Sequence, residues 1–83
     1  MDKLSINNNV RTLRFMNNEM TQKELATKVG VSRQTIVAIE KGQYSPTLEL
    51  CFKLSLVFNK SIDEIFYLEQ TKGKESGKAK KQK

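Results

Sequence analysis

Histidine is absent from this chain, and cysteine occurs once. Without histidine, and with no partner ligand for Cys51, a zinc site or a nucleophilic-cysteine site lacks its parts. A single thiol also excludes a disulfide framework within the chain. No apolar run approaches the roughly 20 residues that a membrane span requires, and the N-terminus lacks the apolar core of a signal peptide. A cytoplasmic location is therefore expected. Carboxylates are present, but Glu24, Glu49, Asp63 and Glu64 fall in or near first turns of helices, where negative charge suits the helix dipole. Capping accounts for them better than catalysis. The chain does not read as an enzyme, and no metal, cofactor or small-molecule substrate is implied.

The net charge of +6 suggests an anionic partner, but its location narrows that reading. Residues 72–83 carry Lys72, Lys74, Lys78, Lys80, Lys81 and Lys83 against Glu75 alone, a net of +5. Residues 1–71 hold nine basic and eight acidic side chains, a net of +1. Any nucleic-acid reading must therefore rest on placed residues rather than on bulk charge. At 83 residues the chain makes one small domain, expected over 1–70. Beyond Gln70 nothing apolar exceeds Ala79, so the stretch 71–83 cannot repay its ordering entropy and is expected to be a disordered tail. It reads as a solubilising extension, a nonspecific DNA arm or a processing remnant. Gly and Ser separate its lysines and no aromatic accompanies them, which favours a passive role.

The spacing predicts an all-α architecture of five helices. The first spans roughly Asn8 to Asn17, with Ile6, Val10 and Leu13 on one side and Arg14 below Val10. Thr21-Gln22-Lys23-Glu24 is a capping box that opens a second helix to Val29, with Leu25, Ala26 and Val29 as its apolar stripe. Gly30 stops that helix, and Ser32 caps a third from Arg33 to Lys41. Gly42 ends the third in the left-handed conformation. Ser45-Pro46 reads as an N-cap and first helical residue for a fourth helix reaching Phe58, with Asn59 as terminator. Ser61-Ile62-Asp63-Glu64 is a second capping box, opening a short helix through Ile65 and Phe66.

Residues 21–41 thus form two short helices around a glycine turn, a helix-turn-helix whose second helix fits the DNA major groove. On that second helix Ile36 and Ile39 point inward, leaving Arg33, Gln34, Val37, Ala38 and Lys41 outward. Arg pairs bidentately with guanine, Gln with adenine, and a small apolar side chain meets a thymine methyl. Thr35 is placed for a base or a phosphate. A polar solvated face, which any surface helix needs, would look the same. Glu40 tips the balance, because its stem points inward one turn after Ile36, where an unpaired carboxylate is costly. Arg14 is the expected partner, in a partly buried pair that clamps the first helix to the third. On the fourth helix Leu48, Cys51, Leu54, Ser55 and Phe58 make the expected buried stripe. Leu56 and Phe52 fall outside it and, with Tyr67 and Leu68, form either scattered surface hydrophobes or a self-association patch.

Gln22, Ala26, Gly30, Val31, Ile36, Ile39 and Glu40 stand at the spacing of the helix-turn-helix in lambda-repressor/Cro-like (XRE-family) regulators. The resemblance continues through SRQTIVAIEKGQYSPTLEL and SIDEIF and covers roughly residues 8–67. It looks closest to small bacterial or phage regulators built of little more than this domain. The resemblance implies a compact five-helix domain that binds operator DNA. It gives backbone contacts to Thr21 and Gln22 and to the loop residues Lys41, Gln43, Tyr44 and Ser45. It gives base contacts to Ser32, Arg33, Gln34 and Ala38. The connector Phe15 to Met20 departs from it by one extra residue, and Ala38 is shorter than the polar side chain of some relatives.

The function expected is sequence-specific DNA binding and transcriptional regulation, with repression favoured because so small a domain leaves little surface for polymerase. Its partner would be an operator duplex, bound by a homodimer at least on DNA. The alternative, from another class, is a protein-interaction module such as an antitoxin or bridging factor on the same fold. The exposed Arg33-Gln34 pair favours DNA.

Overall fold

The computed structural model describes residues 4–70; the expected tail at 71–83 lies outside them. Five helices follow a first strand and precede a second: β1 (Leu4–Asn8), α1 (Val10–Met16), α2 (Gln22–Val29), α3 (Arg33–Glu40), α4 (Leu48–Phe58), α5 (Ile62–Ile65) and β2 (Phe66–Gln70). Most caps stand where side-chain chemistry predicts. The Glu24 N–H donates to the Thr21 hydroxyl at 2.9 Å and the Thr21 N–H to Glu24 Oε1 at 2.8 Å. The Thr35 N–H donates to the Ser32 hydroxyl at 3.2 Å, opening α3. Gly30 and Gly42 end α2 and α3 at φ +78° and +76°, a region costly for any residue with a Cβ. Asn59 ends α4 at φ +55°.

An all-α fold is corrected by the strands. β1 and β2 pair antiparallel, with Ile6 opposite Leu68 and Asn8 opposite Phe66. The first helix accordingly starts at Val10, not Asn8, and Ile6 leaves its face for a strand where it is 49% exposed. Phe66 likewise begins β2 instead of closing α5. The Asn9 N–H donates to the Ile65 carbonyl at 2.8 Å, which continues the pairing beyond the ribbon.

The fourth helix is shifted as well. Its N-cap is Thr47, which accepts from the Leu50 N–H at 3.2 Å, so Ser45 and Pro46 stay in the loop. Leu50, Leu54 and Phe58, four residues apart, then form the buried stripe, with Cys51 and Ser55 half-buried beside it. Leu48 lies two residues from Leu50, across the helix, and is 67% exposed.

The core joins every helix. Val10 and Leu13, then Met20, Leu25, Ala26 and Val29, pack with Ile36 and Ile39, the stripe of α4 and Ile65. Each large side chain buried here contributes about 1.5–3 kcal/mol relative to exposure. No helix of the described residues is long and apolar enough to cross a membrane.

Candidate nucleic-acid interface

Helix α3 is held by its inward face and presents the other. Ile36 and Ile39 are fully buried, whereas Arg33 and Gln34 are exposed at the helix start. Thr35, Val37 and Ala38 are half-buried along the same side, and Ser32, Lys41, Gln43, Tyr44 and Ser45 are exposed around the two ends. The Ser32 and Thr35 hydroxyls face each other at 3.0 Å, so capping already occupies part of their hydrogen-bonding capacity. At the other end Gly42 N–H reaches the Ile39 carbonyl and Gln43 N–H the Ala38 carbonyl at 3.0 and 2.9 Å, a Schellman closure. That closure turns Gln43, Tyr44 and Ser45 away from the helix axis.

The inward end of α3 carries a polar network of unusual reach. Arg14 Nε donates to Glu40 Oε2 at 2.6 Å and Arg14 Nη2 to Glu40 Oε1 at 3.2 Å, a fork on both carboxylate oxygens. Arg14 Nη1 donates to the Met20 carbonyl at 2.7 Å, fixing the end of the connector. Gln22 Nε2 then donates to Glu40 Oε1 at 3.1 Å. The side chains of Arg14 and Glu40 are only 11% and 9% exposed, so water screens this contact weakly. One carboxylate thus gathers α1, the connector, the first residue of α2 and the last residue of α3.

Gln22, an expected backbone contact, is therefore part of this network. The sequence carried a signal for this, since Gln22 shares a helical face with Leu25, Ala26 and Val29. Asn8 is a residue that sequence reasoning missed. Its Nδ2 donates to the Ile39 carbonyl at 2.8 Å, and its Oδ1 accepts from the Val10 N–H at 3.1 Å. A side chain on β1 thus seats the last turn of α3 and opens α1 together. No local pattern announces it, because the partner lies 31 residues away.

Phe52, Leu56, Tyr67 and Leu68 are exposed, Leu56 by 82% and Leu68 by 65%. Among the described residues no group of three or more His, Cys, Asp or Glu side chains could hold a metal ion. Burial pushes the Cys51 thiol pKa up, so this thiol stays protonated and weakly nucleophilic near neutral pH.

The Helix-turn-helix family matches residues 11–65. An uncharacterised HTH-type transcriptional regulator of Methanocaldococcus jannaschii is 50% identical over 62 residues, which cover 75% of this chain and 92% of the relative. One from Archaeoglobus fulgidus is 53% identical over 51 residues, covering 61% of this chain and 72% of the relative. The cryptic phage CTXphi transcriptional repressor RstR of Vibrio cholerae is 35% identical over 71 residues, covering 86% of this chain and 63% of the repressor.

Proposed function

The chain belongs to the XRE-type helix-turn-helix family, and from that premise we propose that it is a sequence-specific DNA-binding transcriptional regulator, acting as a repressor. The observation that carries this reading is the division of α3. Its buried face is pinned by Ile36, Ile39 and the Glu40 network, while Arg33 and Gln34 project from its exposed N-terminal turn. A helix held so firmly presents its outward side chains with little freedom left to lose on binding. Arg33 and Gln34 read base edges, with Ser32, Thr35 and Ala38 beside them. Thr21, Gln22, Lys41, Gln43, Tyr44 and Ser45 flank them on the phosphate backbone.

A homodimer on two half-sites about 34 Å apart is the assembly that suits a module reading one face of the duplex. Phe52, Leu56, Tyr67 and Leu68 supply its apolar contact. These same side chains are what a protein-interaction module would use, and salt separates the two readings. Duplex binding weakens steeply as salt rises, whereas an apolar protein interface does not.

Selection from random duplex DNA tests the proposal and delivers half-site and spacing together. On the selected site Arg33→Ala should cost about 1–3 kcal/mol and relax preference at one position. A uniform loss across all sequences would reduce Arg33 to a phosphate contact.

A further inference from the structure

Helix α3 is tethered unevenly. Among the described residues, the side-chain hydrogen bonds that reach it from other elements all end on its last two residues. Arg14 and Gln22 donate to the Glu40 carboxylate, and Asn8 donates to the Ile39 carbonyl. At the other end, the bonds of Ser32 and Thr35 stay within the first turn. Ile36 and Ile39 add burial, which is non-directional and sets the depth of a helix rather than its tilt. Arg33 and Gln34, exposed in the first turn, therefore take their direction from tethers about 9 Å away along the axis, at about 1.5 Å per residue. A tilt of about 10° around that end moves them by roughly 1.5 Å, enough to break a bidentate hydrogen bond.

Asn8 differs from the other tethers in where it stands. It belongs to β1, outside the helix-turn-helix, and lies opposite Phe66 of β2, which packs on the core. Beside it the Asn9 N–H donates to the Ile65 carbonyl at 2.8 Å. The ribbon thus holds the Asn8 backbone while its half-buried side chain crosses to α3. Nδ2 is committed to Ile39 at 2.8 Å and Oδ1 to the Val10 N–H at 3.1 Å, which leaves the amide a single orientation. The Ile39 carbonyl also accepts from the Gly42 N–H at 3.0 Å, so the end of α3 stays closed with or without Asn8. The Asn8 bond is surplus to forming the helix; what it adds is aim.

We propose that Asn8 is a positioning residue for base reading, which ties the tilt of α3 to the β-ribbon. A side chain outside the helix-turn-helix, touching no base, then sets how well Arg33 and Gln34 meet theirs. The proposal rests on the DNA reading above and adds the ribbon to the determinants of specificity. Nonspecific binding, carried by charge along the backbone, tolerates a tilted helix, whereas hydrogen bonds to base edges do not.

Duplex binding by the full chain tests this, on the site selected from random DNA and on an unrelated duplex. Circular dichroism fixes a temperature at which every variant is folded. Asn8→Ser keeps an oxygen for the Val10 N–H, adds no charge and is too short to reach Ile39. Asn9→Ala removes a bond of the same kind, from Nδ2 to the Glu64 carbonyl at 3.0 Å, which joins the same segment to α5 instead of α3. N8S should lower specific affinity about tenfold while nonspecific affinity and the salt slope match wild type. N9A should keep the ratio of specific to nonspecific affinity. In an Arg33→Ala background the N8S penalty should shrink to about threefold or less, because the aimed side chain is gone. An N8S ratio within about twofold of wild type, an equal fall in N9A, or an N8S penalty undiminished by R33A would overturn the positioning role and leave the DNA reading intact. Absence of salt-dependent duplex binding by the wild type would remove the DNA reading itself.

Discussion

The helix-turn-helix and the β-ribbon finish their surfaces in opposite ways. In α2 and α3 the apolar side chains Leu25, Val29, Ile36 and Ile39 are buried to within a few per cent, and every fully exposed residue is polar. In the ribbon, Ile6 and Leu68 face each other across the strands at 49% and 65% exposure. Along that same face Phe66 still packs on the core, so the ribbon's apolar side continues past the point where the core ends. The first region is complete within one chain, and its surplus is hydrogen-bonding capacity. The second has apolar surface left over, which favours a macromolecular contact of a different kind. The reading surface and the dimer contact proposed above thus lie in separate parts of the molecule.

Three measurements would break or sharpen that division. The largest effect is expected in the first region, where Glu40→Ala strands the Arg14 guanidinium and loses the Gln22 contact. Chemical denaturation should show a loss of about 3 kcal/mol, and a cycle with Arg14→Ala a coupling of about 1 kcal/mol or more. Near-zero coupling would mean that the network does not hold α3. A smaller effect is expected in the ribbon. Leu68→Ser should change the stability of the dilute monomer by no more than about 0.5 kcal/mol, while sedimentation equilibrium shows a weakened dimer. A monomer loss of several times that size would place Leu68 in the core and erase the contrast.

The smallest effect concerns the joint between the two regions. The Ser61 backbone N–H, and then its hydroxyl, donate to the Glu64 carboxylate and hold its pKa below the ordinary value. A carboxylate lowered in this way stabilises the fold above its unfolded pKa and loses that contribution as pH falls through its folded value. Glu64→Gln should therefore flatten the fall in urea midpoint between about pH 5 and pH 3. An unchanged acid limb would mean that this cap does not anchor the ribbon.

What the sequence made legible follows the range of the interactions involved. Caps at Thr21, Ser32, Gly30, Gly42 and Asn59 are written within four residues, and the structure has each in its place. Arg14 and Glu40 are 26 residues apart, yet they were readable because each is a charge on an inward helical face. The strands were not readable. Leu4–Asn8 and Phe66–Gln70 are short, carry little β-branching, and owe their conformation to each other across most of the chain. The start of α4 was read two residues early, at Ser45 and not Thr47, because Ser45-Pro46 carries a strong local start signal. The bond from Gln22 to Glu40 and the role of Asn8 were missed because a neutral amide reveals its partner less readily than a charge does.

The register that joins the strands also orders events in time. Ile6 and Leu68 stand 62 positions apart, and closing so long a loop is slow compared with forming adjacent helices. During synthesis β1 emerges first and waits, unpaired, while the α2–α3 unit is made and begins to pack. Only after Phe66–Gln70 leaves the ribosome does the seam close. The helix-turn-helix is built early and the ribbon is finished last, so the proposed recognition surface forms before the proposed dimer contact.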